Sequence, residues 1–298
     1  MSDVSVQDRL VRRCALGLRF RDTATGDTAI DGLQVEVYVP GQGGRRTPAL
    51  PNRSGVYVAQ ALPGLRDFEF GQTSPDAPWP VAARSLRVSI SDPQRRFLPM
   101  SFDALAPTLG LFGAVASWLS PPQPFGFALL PDDGSPPSPL FDGVPLFSSP
   151  NRPVPDPLAV VYAQLREVGS STPAAWALLG VSIGGRGRGL GLADQNGRVA
   201  VLFPYPEPAR RRLASPPEPR NDFSWSLDLT IYSATGSPPL SAAEPPQLEA
   251  LLAQLQQPRS VVWAQSPPAA PLRLDYRVPV TARSGASPLA DASFLYFA

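Results

Sequence analysis

Ile183 to Pro206, IGGRGRGLGLADQNGRVAVLFPYP, gathers six glycines and three arginines. That composition suits a phosphate cradle, an RNA-binding segment or a turn between strands. A P-loop ends in a lysine that reaches the phosphates, and this chain has no lysine: all 26 basic residues are arginine. A dinucleotide fingerprint needs Gly-x-Gly-x-x-Gly between a strand and a helix. No run here has that spacing, and Gly191 is followed by LADQNGRVAVLF, which reads as a strand. RNA-binding Arg-Gly segments form long arrays, whereas two Arg-Gly pairs stand here between strands. The hairpin reading remains. Gly184 to Gly191 then supply flexibility at a strand end or bulge, and Asn196-Gly197 supplies a turn with φ > 0.

Other reactive groups fare no better. Histidine is absent, so Ser-His-Asp and Cys-His relays cannot be assembled. Cys14 is the single cysteine, which excludes an intrachain disulfide and a tetrahedral Cys/His zinc site. Asp194 and Asn196 precede Gly197 as in the start of a calcium loop, but the twelfth position holds Tyr205 instead of a glutamate. Asp22, Asp27 and Asp31 share one loop, where carboxylates ordinarily form turns. The 25 acidic residues fall mostly in turn contexts such as Asp92-Pro93, and no spacing picks out a glycosidase pair. Arg210, Arg211 and Arg212 lie between Glu207 and Glu218 and read as a solvated loop. The expectation is a non-enzyme without metal or cofactor. Among the tryptophans, Trp176 and Trp225 stand beside strands and read as core, while Trp79 and Trp118 stand in loops and could stack on sugar rings.

The net charge of +1 exerts no global pull on nucleic acid or an anionic membrane. MSDVSVQDRLVRRC lacks a signal peptide's apolar core, and Leu109 to Leu119 is about half the length of a spanning helix. A cytoplasmic protein with no membrane span is expected.

These groups must be positioned by strands. Proline, 39 of 298 residues, is far above the usual ~5%, which favours short elements and stiff loops. Apolar residues alternate with polar ones at Leu16, Leu18 and Phe20, at Val35 and Val37, at Leu86, Val88 and Ile90, and at Leu227, Leu229 and Ile231. Period two is the mark of half-buried strands. Leu248, Leu251, Leu252 and Leu255 instead fall at helical spacing between prolines, predicting one amphipathic helix over a sheet edge. Pro131 to Pro157, with nine prolines in 27 residues, reads as an extended connector lying along a surface.

The two sides of that connector share their punctuation. Each has two strands, an Asn/Asp-x-x-Gly turn at Asn52 or Asp194, an apolar run and a proline. From Pro63 to Ser85 and from Pro204 to Ser226 the spacing is 22 residues. A tandem duplication is the economical reading. The order strand, Thr-Gly turn, strand, Asp-x-x-Gly and proline resembles carboxypeptidase regulatory-like modules, small sandwiches of transthyretin-like topology. The first unit departs from that pattern in having Asn52 at the acidic position. The resemblance implies a non-catalytic, structural or binding role.

The predicted fold is all-β: two β-sandwich (Ig/transthyretin-like) modules with one short helix in the second. Residues 1–130 form the first module with an apolar extension, 131–157 the connector and 158–298 the second module. Within the extension, Leu111, Phe112, Trp118, Phe125 and Phe127 would make a larger exposed patch than monomers usually carry. They are expected to form an interface. Partners are then other subunits of an assembly, itself included. The expected function is a non-enzymatic structural subunit of a larger assembly, such as a phage-tail-like or contractile injection particle built in the cytosol and released. The alternative is a glycan- or surface-binding module using Trp79 and Trp118.

Overall fold

The computed structural model describes residues 14–29, 31–40, 45–65, 68–69, 84–107, 143–207, 223–234, 244–264, 271–285 and 291–298. The described residues form an all-β fold with one short helix among the named elements. In the first half, β1 (Leu16–Asp22), β2 (Gln34–Tyr38), β3 (Thr47–Pro51), β4 (Val56–Ala59), β5 (Arg84–Ser91), β6 (Met100–Ala106) and β7 (Val144–Leu146) form one sheet. Its order is β6-β5-β2-β3-β4-β1-β7. Alternation puts Leu16, Leu18, Phe20, Val35, Val37, Leu86, Val88 and Ile90 inside, all buried. The sheet curls around this core until the chain flanking its two edge strands meets. Leu98 N–H donates to Phe147 O at 2.9 Å, and Ser149 N–H donates to Arg96 O at 2.8 Å.

That closure takes in part of the stretch expected as a connector, of which residues 131–142 lie outside the described residues. Residues 143–149 are buried, and β7 pairs in parallel with β1, Phe20 opposite Val144. Gly143 permits the approach, since a Cβ there would stand 2.5 Å from Arg19 O. Pro145 is tolerated because β7 is an edge strand.

The second half contains β8 (Leu158–Glu167), β9 (Leu178–Ile183), β10 (Arg186–Leu192), β11 (Arg198–Pro204), β12 (Ser224–Tyr232), β13 (Pro258–Arg259), β14 (Val261–Val262), β15 (Leu272–Asp275), β16 (Val280–Thr281) and β17 (Leu295–Phe297). One sheet runs β10-β9-β12-β13 with β15 on β12, and the other runs β11-β8-β17-β14 with β16 on β8. They share a core of Val161, Leu165, Leu179, Val181, Val201, Phe203 and Ile231.

The pairing scheme occurs twice. β1 pairs β4 as β8 pairs β11; β2 pairs β3 and β5 as β9 pairs β10 and β12; β7 joins β1 in parallel as β17 joins β8. The turns match atom for atom. Asn52 Oδ1 accepts from Ser54 and Val56 N–H, and Asp194 Oδ1 from Asn196 and Arg198 N–H. Gly55 and Gly197 both have φ +72°. Asparagine therefore serves at position 52, because the turn uses a side-chain oxygen and not its charge. One pairing differs: β3 bonds to β4, whereas β10 and β11 belong to different sheets.

The predicted helix is α1 (Leu248–Gln254). It has no side-chain N-cap, and seven residues do not hold a helix in water. Packing supplies its stability: Leu248, Leu251 and Leu252 are buried, each worth roughly 1.5–3 kcal/mol. They lie in the first half's core together with Trp176, Leu178, Leu190 and Leu192 of the second half. The helix also caps the β6 edge, since Ser101 N–H donates to Pro246 O at 2.9 Å, and Gln254 Nε2 donates to Trp176 O at 3.0 Å. One apolar core thus runs through both halves.

The glycines in and before β10 stand at a strand end and at a bulge between Gly187 and Gly189, as expected. Gly184 and Gly185, at φ +58° and +75°, are the two-residue turn between β9 and β10. Gly189 and Gly191 instead let β10 cross closely over β11. A Cβ at Gly189 would be 2.8 Å from Val201 Cγ1, and one at Gly191 would be 2.9 Å from Ala200 O. Close packing is a further role of these two positions. Gly191→Ala should lower stability by about 1–3 kcal/mol through overpacking, read as a lower urea midpoint at unchanged m-value.

Candidate binding surfaces

The charged groups of the first half collect where the curled sheet closes. Asp22 ends β1, and Arg152 follows β7, 130 residues later. The guanidinium grips the carboxylate with two bonds, Nη2 to Oδ2 at 2.6 Å and Nη1 to Oδ1 at 2.9 Å. Both side chains are about nine-tenths buried, at 10% and 8% exposure. Ala24 N–H also donates to Asp22 Oδ1, and Arg152 Nη1 to Ser148 Oγ, so the ions are solvated by protein. Arg152 further stacks over the Phe97 ring at 4.9 Å, and Arg96 lies over the same ring at 5.5 Å.

Asp92 forms the second half of this cluster. Its carboxylate has no exposed surface and accepts from the N–H groups of Gln94, Arg96 and Phe97 and from Arg96 Nε at 3.0 Å. Burial pushes its pKa up, but these bonds and the Arg96 charge outweigh burial and hold it below the ordinary 3.8. Arg96 also donates to Asp31 O and lies 3.7 Å from its carboxylate. The acidic loop of Asp22, Asp27 and Asp31 is therefore drawn apart by arginines. Among the described residues no group of three or more His, Cys, Asp or Glu side chains could hold a metal ion.

The glycine-rich stretch makes no anion cradle. Its turns point their N–H groups at their own chain: Asp194 Oδ1 takes two of them, and Gly197 N–H donates to Asp194 O.

Aromatic side chains are gathered at one end of the second half. Tyr276 and Tyr205 have ring centroids 4.9 Å apart, Tyr205 and Trp225 5.8 Å, and Trp225 and Phe223 6.4 Å. Arg277 N–H donates to the Tyr205 hydroxyl at 2.8 Å and fixes that ring. Burial raises the Tyr205 phenol pKa. Beside this row lies a groove of about 370 Å³ lined by Asp156, Pro157, Tyr162, Tyr205, Tyr276 and Arg277. Sequence reasoning missed it, because Tyr162 comes from the middle of β8 while Tyr205 and Tyr276 follow the ends of β11 and β15. Of the two tryptophans read as core, Trp176 is buried and Trp225 is half-buried in the aromatic row.

Trp79, Leu111, Phe112, Trp118, Phe125, Phe127 and Arg210 to Arg212 lie outside the described residues. No helix among the described residues is long and apolar enough to cross a membrane. No family model, curated protein or solved structure matches the chain.

Arg152→Ala strands a buried carboxylate and should cost about 3–5 kcal/mol, with part of the loss recovered by adding Asp22→Asn; urea denaturation of the single and double variants measures both. Asp92 binds its proton less readily folded than unfolded, so its contribution is full above the unfolded pKa. It fades as pH falls from about 4 through the lowered folded value. Asp92→Asn should accordingly be less stable at pH 7 and show a shallower fall in urea midpoint between about pH 5 and pH 2.

Proposed function

We propose that this chain is a non-enzymatic structural subunit of a larger protein assembly, of the kind represented by phage-tail-like and contractile injection particles. The observation that carries the reading is the core that includes residues of α1, β6, β9 and β10 and so joins the two repeated units. Display modules that act independently are joined by exposed linkers with few crossing contacts. Here the junction buries three leucines and a tryptophan. A junction of this kind suits a part that transmits position between neighbours.

Two further features support it. The repeat resembles carboxypeptidase regulatory-like modules, whose role is structural or binding. Beyond β6, the sequence up to residue 130 supplies Leu111, Phe112, Trp118, Phe125 and Phe127, apolar side chains in the quantity expected of a subunit contact. The groups that chemistry would need are committed elsewhere: Asp22 and Asp92 are held by Arg152 and Arg96.

Sedimentation of a gentle lysate of the source cell, with mass spectrometry of each fraction, tests the proposal. The chain should travel far heavier than its own 31.8 kDa, with a constant set of companions. Recovery of all of it at monomer mass would sink the reading.

A further inference from the structure

We propose that the tyrosine groove between β8, β11 and β15 docks a polyproline II segment that carries an arginine, supplied by a second copy of this chain. The walls fit that ligand in three respects. A polyproline II helix has no internal hydrogen bonds and presents bare carbonyls. The groove offers donors for them. Tyr205 already accepts from Arg277 N–H, which leaves its own O–H to donate. The Tyr162 and Tyr276 hydroxyls make no hydrogen bond among the described residues, and the Arg277 guanidinium, over the Tyr276 ring at 5.5 Å, forms no ion pair among them.

The rings also form the right relief. Tyr205 and Tyr276 are inclined at 57° with centroids 4.9 Å apart, so they pack on each other as one uneven aromatic wall and no flat platform. Grooves that read proline-rich segments are lined by aromatic rings, whereas a pyranose face needs a flat exposed ring. Arg277 already covers Tyr276.

Charge selects the occupant. Asp156 is exposed at the groove and makes no ion pair among the described residues, so an arginine beside the prolines would complete it. This chain encodes such a segment in ASPPEPRND (residues 214–222), where Pro216, Pro217 and Pro219 precede Arg220. The groove and its ligand thus occur in one sequence. That arrangement links copies head to tail and is not self-limiting unless the rotation closes. The inference extends the assembly reading by naming one contact, and it is tested separately, because a lysate complex can form through other surfaces.

The test titrates a fluorescent peptide of residues 214–222 into the full chain and follows anisotropy. Saturable binding is expected. Asp156→Asn and Tyr276→Ala should each weaken it at least about tenfold, and a peptide with Pro216, Pro217 and Pro219 changed to alanine should not bind. Asp156→Asn is an exposed, nearly isosteric change, so its effect does not arise from misfolding, and circular dichroism checks Tyr276→Ala. The purified chain should also show a sedimentation coefficient that rises with concentration, lost when the same three prolines are changed in the full chain. No saturation up to about millimolar peptide, or equal binding of the alanine peptide, overturns the proposal. So does an unaffected Asp156→Asn variant, or a glycan array bound through Tyr276 while the peptide is ignored.

Discussion

A seven-residue helix does not hold its shape in water, yet α1 is where the two halves of this protein meet. Its leucines are buried in a core that includes Met100 and Phe102 of the curled sheet and Trp176 and Leu178 of the second half. The bond from Gln254 to Trp176 O adds direction, since a buried carbonyl without that donor would remain unpaired. Trp176 itself sits at φ +60°, a conformation that packing must hold in place. A second cluster joins Ala24 to Leu158, Val160, Ala200 and Leu202 of β8 and β11.

The duplication shows what can diverge without losing a topology. Both units keep the same Asx turn and all but one of the shared strand pairings, yet the first closes as one sheet and the second as two. The difference lies in one strand. β3 has Pro48 and Pro51 and still bonds to β4 through Leu50, its neighbours bending around the core. β10 replaces side chains with glycine where it crosses β11, so it approaches by van der Waals contact and its hydrogen bonds go to β9 alone. Side-chain volume at two positions decides whether the strand joins a sheet or stacks on one.

The fold was legible where its signal is local. Alternation placed the strands, the Leu248–Leu255 spacing placed the helix, and the Asn52 and Asp194 turns announced themselves through their glycines. What was illegible depends on contacts far apart in sequence. Val144 and Leu146 are buried by β1, but in sequence they are two apolar residues among prolines, and composition alone made them look solvated. Gly189 and Gly191 gave no clue whether the missing Cβ served motion or close approach. Asp22 and Arg152, and the three tyrosines of the groove, are brought together only by closure of sheets that local patterns do not specify. The all-β class and the repeat could be read; the site could not.

The missing lysines acquire a physical sense at these contacts. Arg152 forks a carboxylate and stacks on Phe97 at once; Arg96 does the same with Asp92 and that ring; Arg166 covers Phe294 at 3.6 Å and Arg46 covers Tyr38 while bonded to Glu36. An ammonium is a compact, strongly hydrated charge that makes neither the paired bonds nor the planar stack. With no histidine and no lysine, side-chain charge is nearly constant from above the carboxylate range to that of the thiol of Cys14, which burial raises. A scaffold built this way holds its internal ion pairs across neutral pH, and the rings that arginine covers are not available as flat binding platforms. Asp156, exposed beside the tyrosines, is by contrast an acid that makes no ion pair among the described residues.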